Sequence, residues 1–223
     1  MPIDVGPIRA AEFPVTRDYL YFNHAGVSPI PARAASAGIR MLEASRDEGA
    51  FHLRKWEELA TETRGRFARI AGASPEEIAF VKSTSEGISF VAAGFPWREG
   101  DNLVTANVEY PSNIYPWMRL QTRNVELRMV PARDGRVRKE DLFAACDGKT
   151  RLIALSSVEF ANGYRNDLPG IGEYCQRHGI FFCVDGIQSV GVLPMDVKSF
   201  GIDALSADGH KWLLGPEGVG AFY

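Results

Sequence analysis

Five places in this 223-residue sequence put reactive or polar side chains just beyond an apolar run. Asp185 directly follows Ile180-Phe181-Phe182-Cys183-Val184, with Gln188 three residues further on, and Lys211 closes Asp208-Gly209-His210-Lys211 after the run Ile202 to Ala207. Earlier, Ile78 to Val81 leads into Lys82-Ser83-Thr84-Ser85-Glu86-Gly87, Asn102 to Ala106 precedes Glu109-Tyr110-Pro111-Ser112-Asn113, and Arg151 to Leu155 ends in Ser156-Ser157. A carboxylate at the end of a buried strand is desolvated and needs a cation or several donors facing it. An ammonium there must pair, titrate or react, and a lysine kept from bulk water loses its proton readily enough to form a Schiff base with an aldehyde. A Ser/Thr cluster that opens a helix offers hydroxyls and free N–H groups to a phosphate.

Taken singly, each residue has a plainer reading. The Ser/Thr cluster reads as a helix cap, Asp185 as a cap or structural salt bridge, Lys211 as a solvated loop lysine, Tyr110 as a packed aromatic, and His24 and His210 as satisfied structural histidines. Together they match the demands of pyridoxal 5'-phosphate, which presents a phosphate, a flat ring, a ring nitrogen to keep protonated and an aldehyde.

The elements that must position these residues follow from the apolar pattern. Short runs rich in β-branched residues (Ile78 to Val81, Asn102 to Ala106, Val125 to Val130, Arg151 to Leu155, Ile180 to Val184, Ile202 to Ala207) alternate with helix-compatible segments. The alternation predicts βαβ units: a three-layer α/β/α domain with a mainly parallel central sheet, whose ligands bind beyond the carboxyl ends of the strands. Gly170 to His178, closed by Gly179, reads as a connecting helix, Ser74-Pro75-Glu76-Glu77 as a capped helical turn, and Gly218 to Tyr223 as one more strand. Residues 31–72 read as long helices, with Ile39, Leu42, Leu53, Trp56, Leu59, Phe67 and Ile70 at spacings suited to apolar faces. Residues 1–30, rich in Pro and Gly with little periodicity, read as an arm over a domain formed by residues 31–223.

Composition narrows the function classes. With 45% hydrophobic and 24% charged residues and a formal net charge of −3, the chain has an ordinary globular balance. It has no basic excess for a nucleic-acid backbone or an anionic membrane, so neither partner is expected. Cys146, Cys175 and Cys183 are odd in number and lack paired metal-ligand spacing, which reads as reduced thiols with no metal. The amino terminus lacks the basic start and apolar run of a secretion signal, and a cytoplasmic location is the expectation.

At these residues the sequence resembles the fold type I pyridoxal-phosphate enzymes, within them the class V aminotransferase group that holds cysteine desulfurases, isopenicillin N epimerase-like proteins and kynureninase. The most specific stretches are Val184-Asp185-Gly186-Ile187-Gln188-Ser189-Val190-Gly191 and Ser206-Ala207-Asp208-Gly209-His210-Lys211-Trp212, followed by Gly215-Pro216. Tyr21-Phe22-Asn23-His24-Ala25-Gly26 is similar to the family's amino-terminal active-site strand, and Ser83-Thr84-Ser85-Glu86-Gly87 to its phosphate loop.

The resemblance implies that Lys211 carries the cofactor and shuttles the substrate's α-proton, while Asp185 faces the ring nitrogen. It implies that Gln188, with Ser157, reaches the phenolic oxygen, that Thr84, Ser85 and His210 hold the phosphate, that Tyr110 stacks on the ring, and that His24, Gly26 and Asn113 lie on the substrate side. Tyr110 falls where many desulfurases carry a stacking histidine, and a tyrosine is a poorer acid or base near neutral pH. That substitution tilts the expectation toward an aminotransferase or isopenicillin N epimerase-like enzyme acting on an amino acid. The alternatives are a cysteine desulfurase-type lyase and a non-catalytic homologue that keeps only fold and dimerisation. Asp208 departs from the small hydroxyl residue of desulfurases, and a carboxylate beside a phosphate is repulsive unless it points away or caps its loop. The resemblance further implies a homodimer, and a small carboxy-terminal domain beyond Tyr223 that supplies an arginine for the substrate carboxylate.

Overall fold

Seven strands form one sheet in the computed structural model, which describes residues 4–223. They are β1 (Ala79–Val81), β2 (Asn102–Ala106), β3 (Glu126–Val130), β4 (Thr150–Ser156), β5 (Phe181–Asp185), β6 (Ala204–Asp208) and β7 (Gly220–Phe222). Their order is β1-β7-β6-β5-β4-β2-β3. All pairings among β2 to β6 are parallel, and β7 alone runs against its neighbours. From β2 the chain goes outward to β3, then returns to lay β4, β5 and β6 on the other side. That reversal leaves a crevice over the carboxyl ends of the strands.

The helices are α1 (Gly6–Glu12), α2 (Ala32–Glu48), α3 (Leu53–Ala71), α4 (Thr84–Gly94), α5 (Tyr115–Met118), α6 (Lys139–Ala144) and α7 (Leu168–His178). Successive strand residues point to opposite faces, so each central strand feeds two cores. Leu152 and Ala154 of β4 and Cys183 of β5 pack with Ile88, Val91 and Trp117 of α4 and α5. Ile153 and Leu155, with Phe182 and Val184, pack on the other side against Phe67, Leu142 and Ile171 of α3, α6 and α7. Those two cores make the expected three layers.

Local signals set the element ends. The Asp167 carboxylate accepts from Gly170 N at 3.1 Å to cap α7, and Gly179, at φ 64°, ends it in the left-handed conformation. Ser74 and Glu77 form the expected reciprocal capping box.

Two expectations need correction. Residues 4–30 do contain helix: α1 starts with Pro7 in its first turn, and Glu12 at its end accepts from Arg33 N at 3.1 Å and pairs with the Arg33 side chain at 2.8 Å, tying α1 to the start of α2. The long helices form as their periodicity predicts, yet only Phe67, Ala68 and Ala71, at the end of α3, are buried. Ile39, Leu42, Leu53, Leu59 and Ile70 are exposed. Periodicity specifies a face; it does not specify what covers that face.

Candidate active site

The register of the central strands brings the polar ends together. Ser156 of β4 is the cross-strand partner of Asp185 on β5, and Asp185 is the partner of Ser206 on β6. Asp185 is only 2% exposed. Its Oδ1 accepts from Ile187 N at 3.0 Å and its Oδ2 from Ser112 Oγ at 3.2 Å. Burial pushes its pKa up to about 6 against the opposing pull of those two bonds and of Lys211.

Lys211 follows β6 by three residues and is half-buried. Burial lowers its pKa, while Asp185 and Asp208 act in the other direction. Its Nζ lies 5.7 Å from the centroid of the Tyr110 ring, within cation–π range, and Tyr110 in turn meets Phe160 edge to face at 5.1 Å. An amine that loses its proton more easily than a free lysine, over a flat ring and within the electrostatic reach of a buried acid, is equipped to attack a carbonyl and to carry a proton afterwards.

The first turn of α4 forms the third wall. Ser83 caps the helix by accepting from Glu86 N at 3.2 Å, which leaves the first-turn N–H groups pointing out of the helix end. Thr84 Oγ1 accepts from Asp208 N at 3.1 Å and Thr84 O accepts from Ser206 Oγ at 3.1 Å, so the helix start is fastened directly to β6. Gly87 makes this approach possible, because a Cβ there would stand 2.3 Å from Ser206 Oγ. Gly87→Ala is therefore expected to lower stability by roughly 1–3 kcal/mol through overpacking, read as a lower urea midpoint with an unchanged slope.

Asp208 resolves its own puzzle. Oδ1 accepts from Gly209 N at 2.6 Å and Oδ2 lies 3.2 Å from His210 Nδ1, so the carboxylate caps its own loop and faces the histidine. His210 Nδ1 makes no hydrogen bond among the described residues.

Residues Ala25 and Ser28 close the fourth side. Ser28 N donates to His210 O at 2.8 Å, and Gln188 Nε2 donates to Ala25 O at 3.0 Å while Gln188 Oε1 accepts from Trp212 Nε1 at 3.3 Å. The result is a cavity of about 500 Å³ whose lining includes Gly26, Thr84, Ser85, Tyr110, Gln188, His210 and Lys211.

Four expected residues do not line it, and Asp185 is one of them, buried at the strand end behind Ser112 and Ile187. Asn113 is fully buried, donating to Glu109 Oε2 at 2.9 Å and accepting from Trp117 Nε1 at 3.0 Å. Ser157 is turned under the strand end, where its hydroxyl donates to Asp185 O at 3.1 Å and lies 2.7 Å from Ser189 Oγ. His24 stacks on Trp212, with ring centroids 5.5 Å apart and planes at 12°. Gln188 lines the cavity, but both ends of its amide are engaged, with Ala25 O and with Trp212. Conversely, Asn23, Ser112, Phe160 and Glu217 line the cavity without having been singled out. Ser112 carried a signal, standing beside Asn113 in the same strand-end segment; Phe160 carried none.

The class-V aminotransferase family model matches residues 20–223, and the chain belongs to that family. Its enzymes depend on pyridoxal 5'-phosphate. The chain is 37% identical over 221 residues to a probable cysteine desulfurase of Methanothermobacter thermautotrophicus, covering 95% of this chain and 54% of that protein. Among solved structures it is similar to the cystine C–S lyase C-DES in complex with cysteine persulfide, at TM-score 0.89 and 28% identity over 95% of this chain and 58% of that one. It is also similar to a C-DES mutant with glycine covalently linked to its PLP cofactor, at TM-score 0.90 and 26% identity, covering 100% and 59%. The chain spans about half the length of the curated relatives it matches.

Proposed function

We propose that this chain is the cofactor-binding domain of a pyridoxal-phosphate enzyme that acts on an amino acid, with Lys211 as the cofactor-bearing lysine. The observation that carries the reading is a half-buried amine in a cavity beside a helix start, with a buried carboxylate at the adjoining strand end that acts on it electrostatically. The fit is chemical as well as spatial: Asp185 is a desolvated acid awaiting a cationic partner, and the first turn of α4 is an anion site held rigid against β6.

When bound, pyridoxal phosphate supplies an aldehyde for amino groups and a ring that accepts electrons from the substrate's α-carbon. The chain's own residues do the rest. Thr84 and Ser85, with His210, donate to the phosphate; Thr84 Oγ1 keeps its proton free for this because its lone pair already takes Asp208 N. Asp185 would hold a proton on the ring nitrogen, the Tyr110 ring would pack against the cofactor ring, and Lys211 Nζ would carry the α-proton. Gly26 and the arm shield the cavity from bulk water. The natural assembly is a homodimer, and residues 1–30 serve as an arm over the domain formed by residues 31–223.

Within the family we assign a transferase or epimerase-like reaction, supported by Tyr110 in place of an acid–base histidine. A second reading, carbon–sulfur cleavage of a cysteine-class substrate, is supported by the names of its relatives. Incubation of the cofactor-loaded chain with cysteine and with alanine separates them: sulfide or persulfide release supports the lyase, and keto-acid formation or racemisation without sulfur release supports the first. The phosphate assignment has its own test. Thr84→Val keeps the shape but removes the hydroxyl, and it is expected to weaken pyridoxal phosphate binding by about tenfold while leaving phosphate-free pyridoxal nearly unaffected. Equal weakening of both ligands would refute the cradle.

A further inference from the structure

Two more carboxylates lie behind Asp185. Glu109, just past β2, and Glu159, just past β4, are 7% and 1% exposed, and no Lys or Arg among the described residues forms an ion pair with either. Glu109 is held by three donors: Ser156 N at 2.6 Å, Ser156 Oγ at 2.5 Å and Asn113 Nδ2 at 2.9 Å. Glu159 Oε1 accepts from Asn166 Nδ2 at 2.8 Å, and its Oε2 is buried with no hydrogen-bond partner among the described residues. The same Asn166 nitrogen donates to Ser156 O at 2.8 Å.

Both acids therefore grip Ser156, one directly and one through Asn166, and Ser156 is the cross-strand partner of Asp185. Glu109 also holds Asn113, whose neighbour Ser112 donates to Asp185. The groups packed around the three acids are neutral (Ser112, Asn113, Ser156, Asn166 and the Cys183 thiol), and Lys211 is the one nearby cation that acts on Asp185. Three ionised carboxylates against one half-buried ammonium is an arrangement that a dry interior does not tolerate. Burial favours the protonated form of Glu109 and Glu159, and the charge of the neighbouring acid adds to it in each case.

Resting on the cofactor reading above, we infer that Glu109 and Glu159 are positioning residues that retain a proton between them and set the field behind Asp185, so that the cavity selects a ring carrying a protonated nitrogen. Neither acid touches the cavity. Each acts through the charge and orientation of Asp185.

The test compares two ligands on the 223-residue chain: pyridoxal 5'-phosphate and its carbocyclic analogue, in which C–H replaces the ring nitrogen while aldehyde and phosphate remain. Glu159→Gln keeps the size of the side chain and its bond to Asn166. Because the two acids share one proton, the substitution leaves that proton on Glu109 and removes the one negative charge behind Asp185; it is expected to weaken pyridoxal phosphate about three- to tenfold and to leave the analogue within about twofold, since only the first depends on a cation at Asp185. Equal shifts for both ligands, or no shift in either, would overturn the inference. Infrared spectroscopy of the unliganded, unaltered chain gives a second readout independent of any variant's folding. A carbonyl stretch from a protonated, dry carboxylic acid is expected at neutral pH, and a spectrum without it would equally overturn the inference. If neither ligand binds the unaltered chain, the cofactor reading itself fails and this inference falls with it.

Discussion

Replacing Lys211 by alanine is expected to abolish covalent attachment of pyridoxal phosphate and to reduce any amino-acid turnover by at least about 10³-fold. The expectation follows from the placement of one nitrogen. Lys211 Nζ stands over Tyr110 in a cavity that also exposes the first turn of α4, and burial already favours its neutral, nucleophilic form. Any other cavity residue with a lone pair lacks the amine chemistry that an aldehyde needs. Visible absorbance during titration with the cofactor reads the attachment, and turnover assays read the rate. A variant that still traps cofactor covalently would mean that another amine does the work.

The second large effect runs in opposite directions for stability and for binding. Asp185→Asn is expected to stabilise the unliganded chain at pH 8 by about 2 kcal/mol while weakening pyridoxal phosphate by at least about tenfold. The sign follows from the raised pKa. A carboxyl group with a folded-state pKa of about 6, against an unfolded value of roughly 3.9, contributes its full stability below the unfolded value and loses it as pH rises through 6. Asparagine has no charge to bury, so the variant's advantage should be absent near pH 4 and grow to its full size by pH 8. Urea unfolding at these two pH values, without cofactor, measures it. An acid kept where it destabilises the free protein is the signature of a site whose partner arrives later.

The sheet was legible because its strands are buried on both faces and so read as continuous apolar runs, and because a polar residue that ends such a run sits at the ligand edge. Asp185, Lys211 and the Thr84-Ser85 pair were read on that logic; Thr84, Ser85 and Lys211 line one cavity, and Asp185 is buried at the adjoining strand end. What that logic does not supply is direction. Ser112 and Asn113 share the single 3-10 turn Pro111–Asn113, where successive side chains point about 120° apart, so Ser112 reaches Asp185 while Asn113 turns inward to Glu109 and Trp117. Ser157 and His24 do not line the cavity either, each fixed by a neighbour that is distant in sequence. The exposed faces of α2 and α3 show the complementary limit: periodicity predicted the helices, but a covering partner leaves no mark in the segment it covers. Glu159 gave no signal at all, since its interest lies in being buried without a cation.

The most direct measurement of the central claim is borohydride reduction of the chain after incubation with pyridoxal phosphate, followed by peptide mapping by mass spectrometry. The account predicts one modified peptide, carrying the cofactor's mass on Lys211, and its loss when excess phosphate-bearing competitor is present. Labelling spread over surface lysines such as Lys55 and Lys149, or none on the Lys211 peptide, would contradict it.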